Sequence, residues 1–391
     1  MKKLVELAGG SGRAARIRGL AGILFVAGTL MGCAPFDRGT GMTEDRETAP
    51  ELVARDLRFW ADEPAGALSS HLPGGRLSDV LVLSGGGPDG AFGAGVLTGW
   101  TDAGTRPEFD VVTGVSIGAI IAPYAFLGPE YDDELEDLVL NRTGKLQRPE
   151  LTVSGLIFDA GAFERQALST LVNAILTPDV IARIAEEHRD GRRLFVATTD
   201  LDAQRMAVWD IGAMAQAANP QMAEAIRGVF VAAAAIPAAF KPVRLSAPSV
   251  LGIEDELHAD GGVISQIWAP DPRALRTHNR GRGTTYHIII NNAVEPDFDV
   301  INANAASLGT RAITTLIRAG MHADLALTET LLRQSGSDMS LAYIPPDWPL
   351  AVHALDFSPE HLLEIYQLGR NAARDGSIWV PRVPNSYRAV P

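Results

Sequence analysis

The chain has 391 residues, 46% of them hydrophobic and 21% charged, with a formal net charge of −13. That length can bury a substantial core, and the composition is neither collagenous nor disordered. The negative charge excludes nucleic acid as a partner class and argues against broad electrostatic adhesion to anionic lipid.

Residues 2–18 are basic, with Lys2, Lys3, Arg13, Arg16 and Arg18 against the single acid Glu6, and Leu20 to Met31 form an apolar stretch closed by Gly32 and Cys33. This is the plan of a signal peptide, too short to span a bilayer as a mature helix. Leu30-Met31-Gly32-Cys33 resembles a bacterial lipobox. The resemblance implies a diacylglyceryl thioether on Cys33 and an N-acyl group, two signals that together anchor a protein stably. Cys33 is the only cysteine, so no disulfide within the chain is expected. Ala34 after it, rather than Asp, points to the outer membrane of the cell envelope, facing the periplasm.

From Ala34 to about Gly75 the chain is rich in Gly, Pro, Asp, Glu and Thr, which predicts a tether carrying one short helix over Leu52 to Trp60. Val80 to Leu83 reads as a strand and Ala91 to Trp100 as a helix, with a glycine loop between them. The pattern repeats at Phe109 to Thr113 (strand), Gly114 to Gly118 (tight turn) and Ala119 to Leu127 (helix). Phe163 to His188 reads as an amphipathic helix interrupted near Pro178, and Leu194 to Thr199 and Met206 to Trp209 as strands. Ala223 to Ala235 is an apolar helix stopped at Pro237, and Tyr286 to Asn291 a buried strand. Ile301 to Arg333 and Pro359 to Arg374 are helical. Alternating strands and helices predict an α/β domain with a mainly parallel central sheet.

Three motifs carry chemistry. Gly114-Val115-Ser116-Ile117-Gly118 matches G-x-S-x-G, whose glycines Gly114 and Gly118 permit the sharp strand-to-helix turn that exposes a serine hydroxyl. The loop Gly85-Gly86-Gly87-Pro88-Asp89-Gly90 lets backbone amides converge at a helix N-terminus, the arrangement an anionic tetrahedral intermediate needs. The same glycines also satisfy the G-x-G-x-x-G dinucleotide pattern, but that site wants an acid at the end of the next strand, and Asp110 lies at its start. Asp260-Gly261-Gly262 follows a short segment, Leu257 to Ala259, that delivers a carboxylate at a strand or loop end.

The order glycine loop, G-x-S-x-G and D-G-G resembles the patatin-like phospholipases over about residues 78–292. Val196 to Asp202, Ala234 to Pro237 and Phe240 to Val243 also resemble family segments. The resemblance implies a three-layer α/β/α sandwich and lipid acyl-ester substrates. It implies a dyad in which Ser116 attacks the carbonyl and Asp260 takes its proton, with Gly85, Gly86, Gly87 and Gly90 forming the oxyanion hole. No cofactor and no metal are expected. One position departs from the pattern: Asp89 stands where the family loop commonly carries Arg or Lys, and a carboxylate there disfavours a phosphate head group.

The resulting expectation is a signal peptide over 1–32, a flexible tether over 33–76, a catalytic domain over 77–294, and a helical C-terminal extension over 295–391 packed on the same domain. The partners expected are a lipid or acyl-ester substrate and a membrane reached through the anchor. Two rival readings stay open: a non-catalytic envelope lipoprotein that uses the fold for lipid binding or scaffolding, and a Ser-His-Asp hydrolase drawing on His258, His287, His322 or His353.

Overall fold

A computed structural model describes residues 57–146 and 165–384, apart from 218, 238, 250–251, 282, 296–299, 347, 349 and 351–356. The signal-peptide segment, Cys33, the tether up to residue 56 and His353 lie outside the described residues.

Among the described residues, nine strands form one mixed sheet. They are β1 (Arg58–Trp60), β2 (Asp79–Leu83), β3 (Val111–Val115), β4 (Arg193–Asp200), β5 (Arg205–Asp210), β6 (Val243–Ser249), β7 (Gly252–Asp260), β8 (Thr285–Ile290) and β9 (Asp338–Tyr343). Five of them, in the order β4-β3-β2-β8-β9, are mutually parallel. The first four are short runs rich in Val, Ile, Leu or Phe, as strands covered on both faces must be, whereas β9 (Asp-Met-Ser-Leu-Ala-Tyr) ends the strand order and is only partly buried. The pairs β1–β5, β4–β5, β4–β7 and β6–β7 are antiparallel, so the parallel character belongs to the centre of the sheet.

Successive strand residues feed opposite cores. Leu81, Leu83, Val112 and Ile289 pack on one face, and Val80, Val82, Val111 and Ile288 on the other. The first face is covered by helices α2 (Gly90–Asp102), α3 (Ile117–Leu127), α5 (Arg165–Ile175), α6 (Pro178–Arg189), α8 (Pro220–Ala233) and α11 (Pro359–Arg374), beside the shorter α4 (Asp132–Asp137) and α7 (Ile211–Gln216). The second is covered by α1 (Ala65–Ser69), α9 (Pro272–His278) and part of α10 (Ala305–Ser335). This is the three-layer sandwich. The predicted break near Pro178 falls between α5 and α6, where Thr177 caps α6 by accepting from the Val180 amide at 3.2 Å.

Two expectations are corrected. The tether expected over 33–76 gives way by residue 58: β1 pairs with β5, and its Phe59 and Trp60 enter opposite cores. A three-residue strand has no readable period, so the helix expected up to Trp60 ends in a strand instead. The C-terminal extension is packed on the domain but is not wholly helical, because β9 extends the parallel centre of the sheet beside β8.

The sheet also sets up the site. β4 gives one edge to β5 and shares the other: β3 pairs with residues 193–197, and β7 takes over from Thr198. Because β3 runs parallel and β7 antiparallel to β4, their C-terminal ends meet head to head. Val115 lies opposite Ala197, and Asp260 lies opposite Thr198.

Candidate active site

Ser116 follows β3 directly and caps α3 with φ 56° and ψ −125°. A side chain at positive φ is strained unless its surroundings over-determine it. Here they do, because Gly118 sits so close to β2 that a Cβ would lie 2.5 Å from the Leu83 carbonyl oxygen and 2.6 Å from that of Ser84. The first turn of α3 is thereby pressed onto the neighbouring strand, and the chain can reach it only through a sharp bend at Ser116.

The hydroxyl of Ser116 donates to Asp260 Oδ2 at 2.5 Å, across 144 residues of sequence. Asp260 Oδ1 accepts the Gly262 amide at 2.7 Å, so the second glycine of D-G-G orients the carboxylate while the other oxygen faces the serine. Both residues are buried. Burial pushes the Asp260 carboxyl up to about 7, against the opposing pull of the bonds from Ser116 and Gly262. A carboxyl poised there can hold or release a proton near neutral pH.

The glycine loop lies beside this pair, with the Cβ direction of Gly85 pointing 3.2 Å from Ser116 Cβ. Its four glycines differ in what their amides do. Gly85 donates to the Gln266 carbonyl at 2.9 Å and Gly90 to the carbonyls of Gly87 and Pro88. Those two amides are engaged, which corrects the expectation that all four glycines face an oxyanion and leaves Gly86 and Gly87. Two residues not identified from the sequence hold the loop. Asn291, just past β8, donates to the Ser84 carbonyl at 2.9 Å and accepts from the Gly93 amide at 3.0 Å. Gln266 ties the loop to D-G-G by donating to the Gly262 carbonyl at 2.9 Å. Neither stands in a recognisable motif, and only the fold brings them here.

Asp89 is buried and bonded to His361 Nε2 at 2.7 Å. Its carboxylate is thus directed at α11. His361 belongs to the extension to which the sequence assigned no role, and it braces the loop from the C-terminal side.

The other histidines are placed elsewhere. His258 has both ring nitrogens occupied, Nδ1 with Thr198 at 2.9 Å and Nε2 with Glu256 at 2.9 Å. Glu256 also takes both guanidinium arms of Arg58. Burial works against its ionisation, but the bonds from His258 and Arg58 prevail and hold it at about 2. With Asp200 this makes a buried cluster of the ligand types that bind cations, yet Arg58 already supplies the positive charge, so a divalent ion does not suit it. His287 bonds Asp79 at 2.9 Å where β2 begins, the end of the strand remote from Ser116, and His322 lies on α10.

A parallel-centred α/β sandwich with a serine on a strained strand-to-helix turn has the plan of a hydrolase domain. Residues 81–270 match the family model of the patatin-like phospholipases, which supports a domain of the lipid-hydrolase kind over that stretch. No curated protein matches the chain. The crystal structure of VipD from Legionella pneumophila is similar at 13% identity, over 78% of this chain and 68% of that one, with a TM-score of 0.32, a likeness too loose to bear on the site.

Proposed function

We propose that the protein hydrolyses lipid acyl esters through a Ser116–Asp260 dyad and a covalent acyl-enzyme. The observation that carries this reading is the Ser116 hydroxyl donating to a buried carboxylate at 2.5 Å. In the first half-reaction Ser116 Oγ bonds to the acyl carbon as its proton passes to Asp260. Collapse of the tetrahedral adduct breaks the ester bond, and the departing alcohol takes the proton back from Asp260. Water then attacks the acyl-enzyme, giving its proton to Asp260. That proton returns to Ser116 Oγ as the fatty acid leaves. The Gly86 and Gly87 amides, ahead of α2, are the donors proposed for the oxyanion.

The pH dependence tests the base. Asp260 must be ionised to accept the proton, and its carboxyl is held up to about 7. Accordingly kcat/KM on a soluble p-nitrophenyl ester rises about tenfold per pH unit below that value and levels above it. A profile flat from pH 5 to 8 would be incompatible with Asp260 as base.

The anchor belongs to the same proposal. No single helix among the described residues is long and apolar enough to cross a membrane, and the lipobox supplies another route to the envelope. Cys33→Ser is expected to abolish incorporation of labelled palmitate and leave an unprocessed or mislocalised precursor. Palmitate labelling that survives the substitution removes the anchor.

A further inference from the structure

Helix α11 lies beyond residues 81–270, the stretch that matches the family model, yet its backbone touches that of α2. A Cβ on Gly95 or Gly99 of α2 would run into the carbonyls of Tyr366 and Arg370, and one on Gly369 of α11 would lie 2.6 Å from the Phe92 carbonyl oxygen. Only glycine allows backbones so near each other. Side chains pin the same contact. Thr98 Oγ1 and the Tyr366 hydroxyl are 3.0 Å apart, and Arg370 donates to Asp102 at 2.8 Å. Residues 361, 366 and 370 thus meet 89, 95 and 99 in order, so the two helices run parallel with their N-terminal ends together.

That end is where the glycine loop enters α2. Asp89 is the N-cap of α2 but makes no side-chain capping bond, because it stands at φ −67° and ψ −3° and a capping side chain needs an extended backbone. The tight turn over Gly87–Asp89 runs straight into the helix. The carboxylate points across to α11 instead, where Nε2 of His361, in the first turn, meets Oδ1 at 2.7 Å. The two side chains are only 7% and 11% exposed. Burying two such groups is tolerable where each satisfies the other, and the N-terminal ends of both helices favour negative charge at this point.

The loop transmits the position of Asp89. The Asp89 amide donates to the Gly86 carbonyl at 3.3 Å and the Gly90 amide to the carbonyls of Gly87 and Pro88. Gly86 to Gly90 therefore form one bonded turn, and it contains the two amides left for an oxyanion. Asn291 grips the chain on either side of that turn, at Ser84 and Gly93; the bond to His361 grips the turn itself. We propose that His361 is a positioning residue of the active site, which through Asp89 sets the Gly86 and Gly87 amides against the developing oxyanion. This rests on the reading of those amides as oxyanion donors in a Ser116–Asp260 hydrolase, and it makes α11 part of the catalytic unit.

The test compares two neutral side chains that differ in reach. At position 361 the amide nitrogen of Gln extends to about where Nε2 stands, whereas that of Asn stops near Nδ1 and leaves Asp89 without its bond. On a soluble p-nitrophenyl ester, His361→Asn is expected to lower kcat by about thirtyfold, since a displaced oxyanion donor is costly. KM stays within about twofold, because the hole acts on the transition state and not on the bound ester. His361→Gln stays within about threefold of the parent, its hydrogen bond being kept. Asp89→Ala lowers kcat as His361→Asn does, and the double variant is no worse than either alone. A trifluoromethyl ketone reports on the hole directly: Ser116 Oγ adds to its carbonyl carbon, the serine proton passes to Asp260, and the ketone oxygen becomes the oxyanion. Its affinity is expected to fall in His361→Asn by the same factor as kcat/KM.

A folded His361→Asn chain with the parent's kcat overturns the inference, as does a loss expressed in KM. So does a His361→Gln chain as slow as His361→Asn, which would mean that the ring packs and its bond does nothing. Activity that needs Ser116 but not His361 overturns this inference alone, whereas activity that survives Ser116→Ala overturns the dyad and this inference with it.

Discussion

Ser116→Ala and Asp260→Asn each lower kcat on a p-nitrophenyl ester by on the order of a thousandfold or more, with little change in KM. A serine hydroxyl is a poor nucleophile unless its proton is accepted as the new bond forms, so the two residues act as a unit and losing either costs nearly the whole. KM is spared because neither group need bind the acyl chain. Asp260→Asn is the sharper test, since it keeps shape and removes basicity. It also separates chemistry from folding. The folded carboxyl is held at about 7 against an ordinary value of 3.8, so between those values the unfolded chain loses a proton that the folded one keeps. Stability conferred by the protonated form is therefore lost as pH rises through that window. Asp260→Asn carries no such loss, and its thermal transition at pH 8 should equal or exceed the parent's while activity is gone. His287→Asn, whose side chain bonds Asp79 at the far end of β2, and His322→Gln on α10 stay within about tenfold, a loss of roughly 1.4 kcal/mol at most. A folded variant of either that is as inactive as Ser116→Ala would restore the Ser-His-Asp reading.

The second large effect is at the glycine loop, where Gly86→Ala lowers kcat by on the order of a hundredfold. A Cβ on Gly86 would lie 2.6 Å from Asn291 Cβ and closer still to the Asn291 carbonyl oxygen. Asn291 is itself held by bonds to Ser84 and Gly93, so the loop must retreat. The Gly86 and Gly87 amides would then move off the developing oxyanion, and a misplaced donor there costs about two to three powers of ten. Steady-state kinetics on a soluble ester, with the thermal transition measured in parallel, decide it. A folded Gly86→Ala enzyme within about threefold of the parent would show that the loop does not stabilise the transition state.

The sequence by itself determined the elements whose signals are local. Val80 to Leu83 and Phe109 to Thr113 are apolar runs bounded by glycine, and the structure has strands at Asp79–Leu83 and Val111–Val115. Pro359–Arg374 has a sharp helical period and falls where it was expected. Ser116 could be singled out because a strand, a G-x-S-x-G turn and a helix adjoin in the chain, and Asp260 because two glycines follow it.

Only the tertiary structure decided what crosses the chain. That Ser116 and Asp260 touch depends on β3 and β7 sharing one edge of β4 from opposite directions, and no local pattern encodes which edge a strand takes. The same holds for β1 and β9, too short or too far from the motifs to be read, and for Gln266, Asn291 and His361, which meet Gly85, Ser84 and Asp89 far away in sequence. Asp89 shows the limit most clearly. Read as a residue of a loop it is an anionic charge facing ligand, but α11 brings His361 to it, and a buried carboxylate goes to the partner that best offsets its desolvation.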